Sequence, residues 1–267
     1  MGTAVAALTR AAWYQARSYR LSLAMQVVGL LFTVVPLYFI TQALQQTMAT
    51  TIAGEADQYF AFVLVGSIGF GLSTIAMSSL PRTIAGGISS GYFESLLMTR
   101  APVASILAGL SSYELLLTAV RVSLMLTAGW LLGASVAWSG ALPALFILAL
   151  LVAAHWGFGL IAGALVIAFR TAGPLTQIVL TISMFFGGVY YPVSAIPSWL
   201  GAIANLTPLA YGLRALRRVL LQGDSLVAVW EDVAMVASIG VLLLIAGTLA
   251  IQLALRYARK AGTLGSY

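Results

Sequence analysis

Long apolar runs alternate along the chain with short polar ones, and the run length is the first structural statement the sequence makes. A membrane-crossing helix needs about 20 mostly apolar residues. Six stretches meet that need, over residues 23–44, 59–80, 106–132, 142–169, 174–190 and 233–257. Polar connections separate them at 45–58, 81–105, 133–141, 170–173 and 191–232. The pattern predicts an all-α polytopic membrane protein of six spans, whose even number puts both ends of the chain on one side.

The basic residues orient that bundle, because Lys and Arg concentrate in cytoplasmic connections. Arg10, Arg17 and Arg20 precede the first span, and Arg256, Arg259 and Lys260 follow the last. With these ends cytoplasmic, Arg82, Arg100 and Arg170 also fall inside, against Arg214, Arg217 and Arg218 outside. Five of the seven acids (Glu55, Asp57, Asp224, Glu231 and Asp232) fall outside, and Glu55, Asp57, Glu231 and Asp232 border the outer interface, where carboxylates are usually solvated. The expected topology is N-in, C-in.

The connection over 191–232 is apolar enough to suggest a seventh span. Three arginines argue against it, since each Arg at a span centre costs about 2.5–3.5 kcal/mol. Pro192, Pro197 and Pro208 instead punctuate two short helices, because proline suits a first turn and disrupts an interior. In the second, Leu209, Leu213, Leu216 and Leu220 share a face, and Arg214, Arg217, Arg218 and Leu221 lie around the other. The expectation is an outer interfacial or re-entrant helix pair over about 197–222.

Composition narrows the function classes. Hydrophobic residues make up 61% of the 267, and charged residues 7%, against about 25% charged in a soluble domain. A soluble enzyme, a disordered chain and a nucleic-acid-binding domain are excluded, so the net charge of +6 reads as an orientation signal. There is no cysteine and a single histidine, His155, which leaves no thiolate or multi-histidine metal site. No cleavable signal peptide is expected in the first 22 residues. The only lysine, Lys260, is followed by Ala261, so the Gly-Lys-Ser/Thr of a phosphate-binding loop is absent.

The connection over 81–105 opens with Pro81. Gly86-Gly87 and Ser89-Ser90-Gly91 are expected to break the chain there, before a short helix over 92–99 that Pro102 closes off. Phe93, Leu96 and Leu97 give that helix an apolar face, with Glu94 and Arg100 polar. It is either a helix lying on the membrane or a docking piece for a cytoplasmic partner.

Few ionisable groups fall inside the spans. Glu114 and Arg121 are seven residues apart, on one face and about 10.5 Å apart along the axis, long for a direct pair. They either line a pathway and bridge to another helix, or serve structure, with Arg121 snorkelling outward. His155 beside Trp156 reads as a packing residue more readily than as a substrate contact. Ser67-x-x-x-Gly71 and Gly159-x-x-x-Gly163 allow close helix approach. Phe185, Phe186, Tyr190 and Tyr191 near the outer end of the fifth span suit either an aromatic belt or a stacking surface for cargo.

Two stretches resemble the permease subunits of ABC-2-type exporters. After span two, Gly91-Tyr92-Phe93-Glu94-Ser95-Leu96-Leu97-Met98-Thr99-Arg100-Ala101-Pro102 is similar to a Gly-x-x-Glu-x-Leu-x-x-Thr-x-x-Pro-like pattern, with the usual Thr-Pro loosened to Thr-Arg-Ala-Pro. After span five come Gly188-Val189-Tyr190-Tyr191-Pro192, Pro197-Ser198-Trp199-Leu200, Asn205-Leu206-Thr207-Pro208-Leu209-Ala210-Tyr211 and Leu216-Arg217, the more specific match. Span number and loop lengths extend the resemblance over the whole chain.

The resemblance implies a permease without catalytic or metal residues of its own, working as a homodimer in the bacterial inner membrane with separate cytoplasmic ABC ATPase subunits that carry Mg-ATP. It implies a connecting helix within 1–22 (about 8–22), a six-span domain over 23–257 and a cytoplasmic tail over 258–267. The stretch at about 91–100 would be the coupling helix, with Tyr92, Phe93, Glu94, Leu96 and Leu97 contacting the ATPase. Glu114, Arg121 and His155 would be pathway or buried polar groups, and Tyr190, Tyr191, Trp199, Arg214, Arg217 and Arg218 an outer gate that could attract anionic headgroups. Low charge in the spans favours an apolar or amphipathic cargo such as a drug, lipid or lipid-linked compound. The alternatives are a channel or secondary transporter needing no ATPase, and an ABC permease exporting polysaccharide. Membrane lipid is an expected partner and nucleic acid is not.

Overall fold

The computed structural model of the chain describes residues 20–91 and 103–261. They form helices α1 (Arg20–Ile52), α2 (Tyr59–Ser89), α3 (Val103–Leu131), α4 (Ala141–Phe169), α5 (Gly173–Phe186), α6 (Ser198–Leu206), α7 (Pro208–Leu221) and α8 (Trp230–Ala261). Among the described residues there is no strand. Three stretches are long and apolar enough to cross a membrane, Tyr59–Ser89, Trp138–Phe169 and Trp230–Ala258, with shorter apolar helices at Leu117–Leu131 and Gly173–Phe186.

Those three long helices form the centre. α4 packs along α8 on one side and along α2 on the other, and glycines let the backbones close. A Cβ on Gly157 would stand 2.7 Å from the Leu243 carbonyl carbon, and one on Gly247 2.8 Å from the Gly157 carbonyl oxygen. Such spacing trades side-chain burial for backbone contact. α1 and α3 pack on α2, and α7 fits against α2, α4 and α8. α5 makes only limited contact with α2 and α4.

Large apolar side chains cover the outside of this bundle, including Phe32, Phe39, Leu142 and Leu242, each more than half exposed. A protein folded in water rarely leaves contiguous apolar surface of this kind. The described helices therefore belong to a multi-pass membrane protein.

One end of the bundle gathers the connections between α1 and α2, α3 and α4, α5 and α6, and α7 and α8. Ser135 N donates to Gln58 Oε1 at 3.1 Å, Gln222 Nε2 donates to Gly54 O at 3.2 Å, and Ala137 N donates to Leu220 O at 2.7 Å. We refer to this as the connector end.

The helices outrun the apolar stretches. α1 continues through the expected 45–58 connection to Ile52, which is fully buried. Gln45 explains the extension. Its Oε1 accepts from Tyr59 N at 2.7 Å, and its Nε2 donates to Asp57 O at 3.1 Å, so a side chain of α1 caps the start of α2.

Likewise α2 does not stop at Pro81, and Gly86-Gly87 do not break it. The helix runs to Ser89, with Ile84 fully buried against the half of the core away from the connector end. Pro81 has no N–H, so the Met77 carbonyl lacks its ordinary helical donor. Gly159 of α4 packs there: a Cβ on it would lie 2.9 Å from Met77 O. The expected Gly159-x-x-x-Gly163 approach is thus spent within the chain, on α2, with Gly163 facing Ile84. α1 begins among the described residues at Arg20, and the rest of the expected helix at 8–22 lies outside them.

Candidate functional site

The second motif of the sequence folds into one knot at the connector end. Thr207 and Pro208 start α7, with Pro208 in its first turn, where a missing N–H costs nothing. Leu209, Leu213 and Leu216 are buried as the leucine face predicts. The flanks of that face are buried as well, Ala215, Val219 and Arg217 each being at most 1% exposed, while Arg214 on the opposite face is exposed and Tyr211 and Arg218 are half-buried. α7 therefore packs into α2, α4 and α8 by its leucine face and flanks and keeps an open side at Arg214, whereas α6 is peripheral, with Trp199 77% exposed.

Arg217 is the centre of the knot. Its Nη1 donates to Glu55 Oε2 at 3.0 Å, its Nε to Phe62 O at 3.2 Å, and its Nη2 to Gly188 O at 2.7 Å and Val189 O at 3.1 Å. The guanidinium also lies over the Phe62 ring, 3.3 Å from the centroid, the arrangement a planar cation favours. Gly188 has φ +79°, a left-handed conformation that suits glycine and here turns its carbonyl toward the arginine. Burial pulls the Arg217 pKa down to about 10, while the Glu55 charge opposes that pull. The side chain stays protonated at neutral pH.

The other two arginines of this end are paired too. Arg214 Nε donates to both Asp232 oxygens, at 3.0 and 2.9 Å, and its Nη2 bonds Oδ1. That hydrogen bonding raises its pKa, with burial acting in the opposite sense, and the group sits 5.5 Å from the Tyr211 centroid. Arg218 bonds Asp224 at 2.8 Å. Glu55 and Asp232, expected as solvated acids, are thus partners of arginines, as is Asp224, and Asp232 is only 5% exposed. For Arg217 the reason is enclosure, since a buried cation requires a carboxylate close by. Sequence reading missed these three partners, although five acids on the same side as three arginines was a usable sign.

Tyr190 and Tyr191 border the knot. The Tyr190 carbonyl accepts from Tyr59 Oη at 3.0 Å, and Tyr191 Oη donates to Phe185 O at 2.6 Å. Phe185 and the Tyr190 ring remain substantially exposed.

Elsewhere the predicted residues are dispersed. Glu114 and Arg121 lie on α3, and neither takes part in the three ion pairs above. His155 is fully buried, its Nδ1 in hydrogen-bond contact with Leu151 O at 2.9 Å and its ring tilted against Phe158. Among the described residues no group of three or more His, Asp and Glu could hold a metal ion. Tyr92, Phe93, Glu94, Leu96 and Leu97 lie outside the described residues.

At the end away from the connectors, a cavity of about 500 Å³ opens between α2 and the α4–α5 junction. Its walls include Arg82 and Arg170 together with Ser78, Thr171 and Gln177. Arg170 closes α4 with φ +61°, a left-handed conformation uncommon for a residue with a Cβ.

Fold and site together define a helical membrane protein with an amphipathic helix packed into its connector end. The chain belongs to the ABC-2 type transporter family, whose model matches residues 3–221. It is accordingly an ABC-type transport permease, not itself catalytic. The match takes in α1 to α7, including the whole Arg217 knot. No curated protein matches the chain.

Proposed function

We propose that this chain is the transmembrane subunit of an ATP-driven exporter. In this reading it crosses the inner membrane six times with both termini cytoplasmic, and two copies form the pathway. The family match over residues 3–221 carries the reading. The gathering at one end of the links between α1 and α2, between α3 and α4, and from α5 to α8 supports it, since a six-span bundle needs three such links on one side; in this reading that side is outside. Separate ATPase subunits bind Mg-ATP and grip the stretch at 92–99 through Tyr92, Phe93, Glu94, Leu96 and Leu97. Their closure pushes on α2 and α3, and the α6–α7 cap closes the exit. The cargo is apolar or amphipathic, because the described spans bring few charges to the interior.

The test has two parts. Affinity purification of the tagged chain from its native membrane recovers a protein with a phosphate-binding Gly-Lys-Ser/Thr loop; recovery of none removes the ATPase from the reading. Glu94→Arg then uncouples transport from ATP turnover with the assembly intact. Unchanged substrate-stimulated ATPase in that variant refutes the coupling role.

A further inference from the structure

Charge is divided unevenly between the two ends of the bundle. Five of the seven acidic side chains (Glu55, Asp57, Asp224, Glu231 and Asp232) belong to the connector end. Glu94 and Glu114 are the two that remain for the rest of the chain. Two carboxylates cannot balance Arg20, Arg82, Arg256, Arg259 and Lys260, which lie toward the helix ends away from the connectors. Positive charge at this end therefore finds counter-charge outside the chain. Arg256 and Lys260 stand together: both are exposed, and they are four residues apart on the last turns of α8, hence on one face.

Beside them a cleft of about 260 Å³ opens between α4 and α8. Leu165 and Phe169 of α4 and Leu253 and Tyr257 of α8 wall it, over the buried Ala164 and Ala254. Phe169, Leu253 and Tyr257 are each more than half exposed, so the cleft opens outward, and the Phe169 and Tyr257 rings stand 6.3 Å apart at its end. Both helices cross the membrane, over Trp138–Phe169 and Trp230–Ala258. The cleft thus lies in the last turns of the hydrocarbon depth, with Tyr257 at the interface level that tyrosine favours. Arg256 and Lys260 follow Leu253 by three and seven residues, which puts them on the Leu253 side of α8, where long side chains reach the headgroup level. The space is narrow. It is smaller than the ~300–1,000 Å³ of drug-sized sites, and a helix with its side chains is about 10–12 Å across, so a single alkyl chain is the occupant that fits.

We infer that the α4–α8 cleft binds one anionic phospholipid, with an acyl chain between Phe169, Leu253 and Tyr257 and the phosphate on Arg256 and Lys260. The apolar walls select a lipid over a soluble anion, and the two cations select an anionic lipid over a neutral one. The inference goes beyond the proposed export function and takes from it the leaflet alone, the cytoplasmic one. A lipid seated there touches both α4 and α8, the most closely packed pair of the bundle, and stabilises their contact by binding the folded state.

Full-length permease purified in detergent is titrated with phosphatidylglycerol and, separately, with phosphatidylcholine of the same chains, and bound lipid is counted by native mass spectrometry. The expected result is a clear preference for phosphatidylglycerol and a rise in the unfolding midpoint when it binds. Arg256→Gln and Lys260→Gln each weaken phosphatidylglycerol about fivefold, the worth of one basic residue beside an anionic lipid surface, and leave phosphatidylcholine unchanged. Ala250→Leu, which fills the cleft from its wall, weakens both lipids. Arg82→Gln removes a cation of the same end on α2 and leaves the preference as it is. Equal affinity for the two lipids overturns the inference. So does a loss in Arg82→Gln as large as that in Arg256→Gln, which assigns the preference to the charge of the whole end. Displacement of phosphatidylglycerol by soluble glycerol phosphate overturns it too, since that competitor has no chain. An Ala250→Leu variant that changes from two chains to one while binding both lipids as wild type does assigns the cleft to a second copy and overturns it. Unfolding midpoints measured without lipid show that each variant is folded. None of these readings requires an ATPase, so failure to recover a partner ATPase leaves this result standing, and the reverse also holds.

Discussion

Arg217 and Glu55, 162 positions apart in the chain, meet at 3.0 Å with the arginine 1% exposed and the glutamate side chain 14% exposed. Burying a guanidinium is costly unless its charge and its donors are matched, and removing one partner leaves the other stranded, at about 3–5 kcal/mol. Arg217→Leu is therefore expected to lower stability by that order and to drop the unfolding midpoint in detergent. Arg217→Lys does not restore it, because an ammonium cannot reach Glu55 and three carbonyls while lying flat on Phe62. A lysine variant that melts with wild type would show that charge alone holds the cap.

The three pairs of the connector end predict a rank order. Arg214 is half exposed but its partner Asp232 is buried, so Asp232→Asn costs an intermediate amount, about 1.5–3 kcal/mol. Arg218 and Asp224 are both about one-third exposed, and Arg218→Ala costs about 0–1 kcal/mol. Unfolding midpoints in the order Arg218→Ala, Asp232→Asn, Arg217→Leu, highest first, are the check.

Two glycines of one helix should respond with opposite sign. A Cβ at Gly66 would run into the Val189 carbonyl and stand 2.7 Å from Arg217 Nη2, whereas one at Gly71 meets nothing within 4 Å. Gly66→Ala is expected to destabilise by about 1–3 kcal/mol through overpacking. Gly71→Ala is expected to stabilise by up to about 1 kcal/mol, the difference in helix propensity. Equal effects of the two would mean that helix propensity, and not the arginine knot, sets the cost.

The chain contains no cysteine, so single-cysteine variants test topology directly. Ser225→Cys at the connector end and Ser90→Cys at the other are both on exposed residues. In intact cells a membrane-impermeant maleimide should label the first and spare the second until the membrane is opened. Labelling in the reverse pattern would invert the orientation, and with it the leaflet of the Arg82–Arg170 cavity.

The sequence was legible where physics is local. Apolar runs located the long helices, and Pro208 marked the start of α7 as a separate short helix, because proline acts on its own first turn. Helix ends were less legible. Gln45 and Ile52 extend α1 through contacts with residues beyond the run, and Pro81 reads as a stop until Gly159 is seen packed at the Met77 carbonyl. The role of Arg217 was the least legible, since a leucine face predicts which side is buried but cannot say that a flanking arginine is covered with it. Its carboxylate partner lies in the first connection, and only the packing of α7 against α2 brings the two together.

The Arg217 knot also determines how α5 can move. At one end the residues just beyond α5 are clamped: Gly188 and Val189 give their carbonyls to Arg217, and Tyr190 gives its own to Tyr59. At the other end α5 begins at Gly173, against the cavity wall. A 14-residue helix is about 21 Å long, so it acts as a lever whose fulcrum is the clamp. A tilt of about 10° moves the free end by about 4 Å, given that length, while the clamped carbonyls barely shift. A change in the width of the Arg82–Arg170 cavity at the start of α5 therefore leaves the hydrogen bonds at the far end of the same helix in place.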